Sequence, residues 1–292
     1  MPAHDSVILY LGLSDLINIL SSSHDALNEG FMTTPPQYLT FTNVTLKESQ
    51  EKICFEKSEA LVYAKFRYNT RTQELVAKVL NPRNAHPHII SSFQWSMMLS
   101  QFTSMGVGVG DYGATLSPVI TLGDWVRQPD SCLGPALKIP YTVVLGVAAA
   151  APGSKEGLKG NVRGWIESPG NCVDLVITIC INVLQPQQQM GTMTIAKWEP
   201  RGDNATNGNG NRTAMRTTVL TIKSQTSTTT GTSIDPRSGD AVPCNELRVP
   251  FETIFRRALV NLEKDVVFDQ KALLKFADTT WKQIRAGRSE GY

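Results

Sequence analysis

Apolar and polar residues alternate through most of the first 250 positions. In 38–46, YLTFTNVTL, and 59–82, EALVYAKFRYNTRTQELVAKVLNP, neighbouring side chains differ in character, as in a half-buried strand. The longer segment reads as a hairpin. Leu61, Tyr63, Lys65 and Arg67 share one face, Val62, Ala64, Phe66 and Tyr68 the other, and Asn69 to Thr72 form the turn before Leu75 to Leu80 returns. Residues 88–110 are ambiguous, but Ile89, Ile90, Phe93 and Trp95 favour a strand. Further strands are predicted at 118–126, 136–151 and 160–167, and at 171–184 after a turn at Ser168, Pro169 and Gly170. The near-continuous β-branched run in 171–184 predicts burial on both faces. Residues 191–200 and 212–231 complete the set.

The period changes at both ends. Leu11, Leu13, Leu16, Ile17 and Leu20 outline a short amphipathic helix, followed by a polar arm to Pro36. Phe251, Ile254, Phe255, Ala258, Leu259 and Leu262 recur at helical spacing. Asp269 is placed to cap a second helix with Leu273, Leu274, Ala277, Trp281 and Ile284 on its stripe. The expected fold is therefore mainly β: an antiparallel β-sandwich or jelly-roll barrel with a short N-terminal helix and C-terminal helices. The expected division is an arm at 1–37, the β domain at 38–250 and a helical extension at 251–292. With no strand–helix alternation in view, Rossmann and TIM-barrel architectures are set aside.

Composition sharpens this modestly. Charged residues are 18% of the chain, below the average of about 25%, and the net charge is +2. No basic arm marks a nucleic-acid binder; Arg256–Arg257 and Arg285 with Arg288 are weak local candidates that read as solvated helix faces. Five cysteines without CxxC spacing indicate neither a zinc site nor a disulfide framework, and favour a reducing environment. Residues 6–20 lack a basic leader and carry Ser14, Asp15 and Asn18, which argues against a signal peptide or membrane span.

Candidate chemistry is sparse. His86 and His88 offer two imidazoles with no third ligand in view. Gly106, Gly108 and Gly110 match no phosphate-loop pattern. Asp111 and Asp124 sit beside Tyr112 and Trp125, the residue types of a carbohydrate site, but nothing in the sequence joins them. No residue is singled out as catalytic, and no cofactor or metal is expected. Asn43, Asn204 and Asn211 head sequons read as unused without a secretory signal. Arg201, Gly202 and Asp203 lie in EPRGDNATNGNGNRTA, whose Asn-Gly steps predict an exposed loop between two strands, where a receptor could touch the tripeptide.

LKIPYTVVLGVAAAAPG (137–153), KGNVRGWIESPGNCVDLVITICINVLQP (159–186) and the Thr/Ser/Asn/Gln-rich loops resemble the jelly-roll coat proteins of small icosahedral picorna-like RNA viruses. That resemblance implies a structural, non-enzymatic subunit that assembles in the host cytoplasm into the icosahedral shell of a virion around an RNA genome. Its implied partners are copies of itself, other capsid subunits, RNA at the inner surface and a cell receptor. Leu16, Ile254, Leu259 and Trp281 would then mark helices that contact neighbouring subunits. GNVRGWIESPGNCVDLVITICIN is also similar to the core of plant-virus cell-to-cell movement proteins, which bind single-stranded nucleic acid. A carbohydrate-binding sandwich is the third reading.

Overall fold

Strands form over much of the alternating pattern, but helices take two segments that the same pattern assigns to strands. The computed structural model describes residues 6–29, 38–53, 60–80, 86–136, 141–149, 154–168, 172–183, 191–201, 212–223, 229–235 and 238–289. In chain order the strands are β1 (Ser6–Leu9), β2 (Tyr38–Thr42), β3 (Ala64–Asn69), β4 (Glu74–Val79), β5 (Tyr112–Leu116), β6 (Ile120–Leu122), β7 (Trp125–Arg127) and β8 (Ser131–Pro135). There follow β9 (Val143–Ala149), β10 (Leu175–Val183), β11 (Gly191–Arg201), β12 (Thr213–Lys223), β13 (Thr229–Ile234), β14 (Ala241–Pro243), β15 (Leu247–Val249) and β16 (Val266–Phe268). The principal helices are α1 (Leu13–Glu29), α2 (a continuous helical run, 86–104), α3 (Ser154–Ile166), α4 (Phe251–Phe255) and α5 (Gln270–Ser289).

Among the described residues a six-stranded sheet has the order β1-β2-β4-β3-β7-β6 and an eight-stranded sheet the order β14-β13-β12-β11-β10-β9-β8-β5. A small hairpin pairs β15 with β16. The protein is mainly β, as expected, but both large sheets are open and mixed rather than an all-antiparallel sandwich or barrel. β1 runs parallel to β2 and β9 parallel to β10, with α1 and α3 falling between the partners of each pair. Strand–helix alternation is thus present after all. It escapes the sequence pattern because α3 runs through 160–166, nearly all of the segment 160–167 read there as a strand.

The layers follow from the side-chain alternation. Val143, Leu145 and Val147 of β9 and Ile177, Ile179 and Ile181 of β10 join the largest core, packed against α2 and α5. Val144 and Val176 face the other way, against Val162, Trp165 and Ile166 of α3. β10 is therefore buried on both faces. In the smaller sheet, Leu39, Phe41, Phe66, Tyr68, Leu75 and Ala77 pack with Leu16 and Leu20 of α1. Its opposite face carries Tyr38, Lys65, Arg67, Lys78 and Arg127, and looks toward α3. Helix α3 consequently has a sheet on either side.

Such a helix must be narrow on its polar side. Gly157, Gly160 and Gly164 recur at helical spacing on the side away from Val162 and Trp165. A Cβ at Gly157 would run into the Tyr38 ring, and one at Gly164 into the Arg127 guanidinium. The sheets are joined at one corner, where residues 117–119 link β5 to β6 and residues 128–130 link β7 back to β8. Asp130 ties that corner. It is 4% exposed and accepts from Lys78 Nζ at 2.7 Å and from the Val147 N–H of β9 at 2.6 Å, with Lys65 Nζ at 3.3 Å. Lys78 also donates to the Val147 carbonyl at 2.5 Å, so one carboxylate and one ammonium stitch β4 to β9.

Two further expectations change, one of a strand and one of a helix. Residues 88–104 are helical because Ile89, Ile90, Phe93, Leu99 and Phe102 form one stripe on the large sheet, with π-type turns over Ser92–Leu99. The stripe begun at Phe251 stops at Phe255, where Arg256 takes the left-handed conformation (φ 51°). Its guanidinium is held by Asp174 at 2.7 and 3.0 Å, turning the chain outward and leaving Leu259 and Leu262 exposed. Asp269 does cap α5, accepting the Ala272 N–H at 2.7 Å.

Two substitutions test this packing by urea denaturation. Asp130→Asn strands Lys78 in the interior and is expected to destabilise by about 3–5 kcal/mol, the range for breaking a buried ion pair. Gly157→Ala is expected to destabilise by about 1–2 kcal/mol, because overpacking against a rigid ring outweighs the gain in helix propensity.

Candidate functional site

Pairing of β3 with β7 places Arg67 directly across from Arg127, although they are distant in sequence. Trp125 lies two residues before Arg127 and so shares its face of the strand. The Arg127 guanidinium sits over the Trp125 ring at 4.6 Å and 5.8 Å from the Trp165 ring of α3. Arg67 is 5.9 Å from the Trp125 centroid. The bare backbone of Gly164 lets the guanidinium lie against the helix.

Arg127 is only 3% exposed, yet its Nε and Nη1 are sealed from solvent without a hydrogen-bond partner. Among the described residues no carboxylate pairs with it. Burial, and then the neighbouring Arg67, hold this guanidinium well below the usual arginine range, at about 9. Two indole faces recover about 2 kcal/mol of such a burial penalty, which for an ion amounts to several kcal/mol. Arg212 has an 8% exposed side chain and pairs with Asp174 at 3.0 Å.

Arg127 lines an open cleft of about 530 Å³ between the β6–β7 hairpin and the last turn of α3. The hairpin contributes Leu122, Asp124 and Trp125; the helix side contributes Arg163 and Glu167. Gly123, at φ +55°, makes the turn, and the Asp124 carbonyl accepts from Thr70 N at 2.8 Å and Oγ1 at 3.1 Å, which fixes the hairpin tip. Glu167 is engaged with the Ala214 N–H at 3.0 Å, whereas Asp124 and Arg163 are exposed.

Inward from Arg127 the same face of the sheet continues through Arg67, Lys65 and Lys78 to Tyr38. A cavity of about 20 Å³ there has room for one water. Burial holds Lys78 below the ordinary lysine range against the pull of Asp130, and burial pushes the Tyr38 phenol up. Among the described residues, the half-buried Lys65 and Arg67 and the buried Lys78 and Arg127 share this row with the Asp130 carboxylate.

The residues singled out from the sequence are dispersed. Leu16, Ile254 and Trp281 are 1%, 0% and 6% exposed, inside the chain's own cores, while Leu259 is 45% exposed. Arg201 ends β11 with Nη1 3.4 Å from Met215 Sδ; Gly202 and Asp203 lie outside the described residues. Among the described residues no three His, Cys, Asp or Glu side chains are grouped to hold a metal. Asp111 accepts the Gly108 N–H at 2.8 Å and Tyr112 packs on Phe102, whereas Asp124 and Trp125 do reach the cleft. Sequence pattern singles out none of Arg127, Arg163, Lys78 or Asp130. The one visible signal is a cation within an apolar run, as Lys78 in LVAKV.

No protein-family model and no curated protein matches the chain. A solved structure that does match is described as "a putative nuclease belonging to DUF820" from Anabaena variabilis, with 14% identity, a TM-score of 0.36, and coverage of 73% of this chain and 90% of that one. A likeness of that size assigns neither fold nor activity. The expectation of a non-enzymatic coat subunit in a virion is nevertheless withdrawn, together with the movement-protein and carbohydrate-binding alternatives. The sheets are open and mixed, with a helix between parallel strands, where the coat resemblance called for a jelly roll.

Proposed function

We propose that this chain binds a phosphate-bearing ligand in the cleft between the β6–β7 hairpin and α3, with Arg127 as its anchor. The observation that carries this reading is a 3% exposed guanidinium with two sealed nitrogens and, among the described residues, no carboxylate paired with it. An unpaired buried charge lowers stability, and its natural complement is an oxyanion that accepts from the planar guanidinium fork. Arg163 on the helix wall and Arg67 across the strand add attraction from two further directions. Gly164 supports the reading sterically, since any side chain there would displace the guanidinium.

The reading couples stability to binding. Arg127→Met removes the charge and keeps an apolar stem between the two indoles, so the ligand-free variant is expected to be more stable by about 1–2 kcal/mol. Pyrophosphate is expected to raise the melting temperature of the wild type, by linkage, and to leave Arg127→Met unmoved. A variant that is less stable, together with a wild type indifferent to pyrophosphate, would contradict the assignment.

A further inference from the structure

Resting on that phosphate reading, we propose that the ligand is a nucleoside phosphate whose base carries an amino edge, guanine above all, with Asp124 as the residue that reads it. The cleft supplies more than a phosphate needs. The cleft is open, and its volume of about 530 Å³ admits a ligand larger than an inorganic anion. One wall is apolar and aromatic, from Leu122 and the half-buried Trp125, a surface for a planar ring. The charged groups are spread over its walls: Arg127 lies at the floor, Arg163 and Glu167 on the helix wall, and Asp124 at the hairpin tip.

That arrangement suits a ligand with an anion at one end and N–H donors at the other. A carboxylate only accepts hydrogen bonds at neutral pH, so it selects for donors. Guanine presents N1–H and an N2 amino group side by side, which two carboxylate oxygens accept together. Adenine and cytosine offer a single amino group at that edge, and uracil a lone N3–H flanked by two carbonyl oxygens that repel a carboxylate. The Asp124 backbone is pinned to Thr70, so its carboxylate projects from a fixed tip. One Glu167 oxygen accepts the Ala214 N–H, which holds that side chain against β12.

Isothermal titration calorimetry of the full chain against GMP, AMP, UMP, ribose 5-phosphate and inorganic phosphate decides the matter. GMP is expected to bind about tenfold or more tightly than UMP or ribose 5-phosphate, the discrimination of one bidentate edge contact. Asp124→Asn is expected to remove that advantage while leaving ribose 5-phosphate binding unchanged. Its exposed position predicts an unaltered melting temperature, which separates lost recognition from lost folding. Equal affinity for GMP and ribose 5-phosphate would overturn the nucleotide assignment and leave the phosphate reading standing. Failure of every phosphate compound to bind would overturn both.

Discussion

The architecture turns on how a row of cations is kept between two sheets. Lys65, Lys78, Arg67 and Arg127 all project from the polar face of the six-stranded sheet toward α3, where water is largely excluded. Charges so placed require compensation, because removing each from water costs several kcal/mol. Asp130 provides it at one end. Its position in the link between β7 and β8 means that neutralising Lys78 also ties the corner where the chain passes between sheets. Helix α3 closes over the row because glycines 157, 160 and 164 present bare backbone to Tyr38, Arg67 and Arg127.

The two ends of the row therefore differ in kind. Around Asp130 the carboxylate is bonded to Lys78 and to the Val147 N–H, and the Tyr38 hydroxyl, buried without a hydrogen-bond partner, borders a space with room for little beyond a water. Around Arg127 the guanidinium touches aromatic rings and bare backbone, and its face of the sheet opens into a cleft. A well-satisfied network rigidifies a fold; an unsatisfied one marks a place where something else completes it. The stable end holds the cleft walls in place, and the unstable end gives the cleft its chemistry.

Much of the β framework is legible in the alternation, because β3–β4 and β11–β12 are hairpins whose partners are near in sequence. Asp269 and the α5 stripe are equally local features. Helix α3 is not legible for a physical reason. Each interior glycine lowers helix propensity by about 1 kcal/mol, so SKEGLKGNVRGWI reads as turn and strand. The glycines are explained only by the sheet that α3 meets, a tertiary demand overriding local preference. The site is hidden by the same logic. Asp124 and Trp125 stand out as a carboxylate beside an aromatic ring, but Arg127 gains its meaning from Arg67, Trp165 and Gly164, which come from a distant strand and a distant helix.

The most direct measurement of the central claim is the NMR signal of the Arg127 guanidinium, recorded on ¹⁵N/¹³C-arginine-labelled protein with and without pyrophosphate and assigned by its loss in Arg127→Met. The expected result is a pyrophosphate-dependent shift of the Arg127 Nε–H with slowed solvent exchange, while the Arg212 signal, already paired with Asp174, stays in place. An Arg127 signal indifferent to pyrophosphate would contradict the account, leaving this guanidinium as packing between two tryptophans and nothing more.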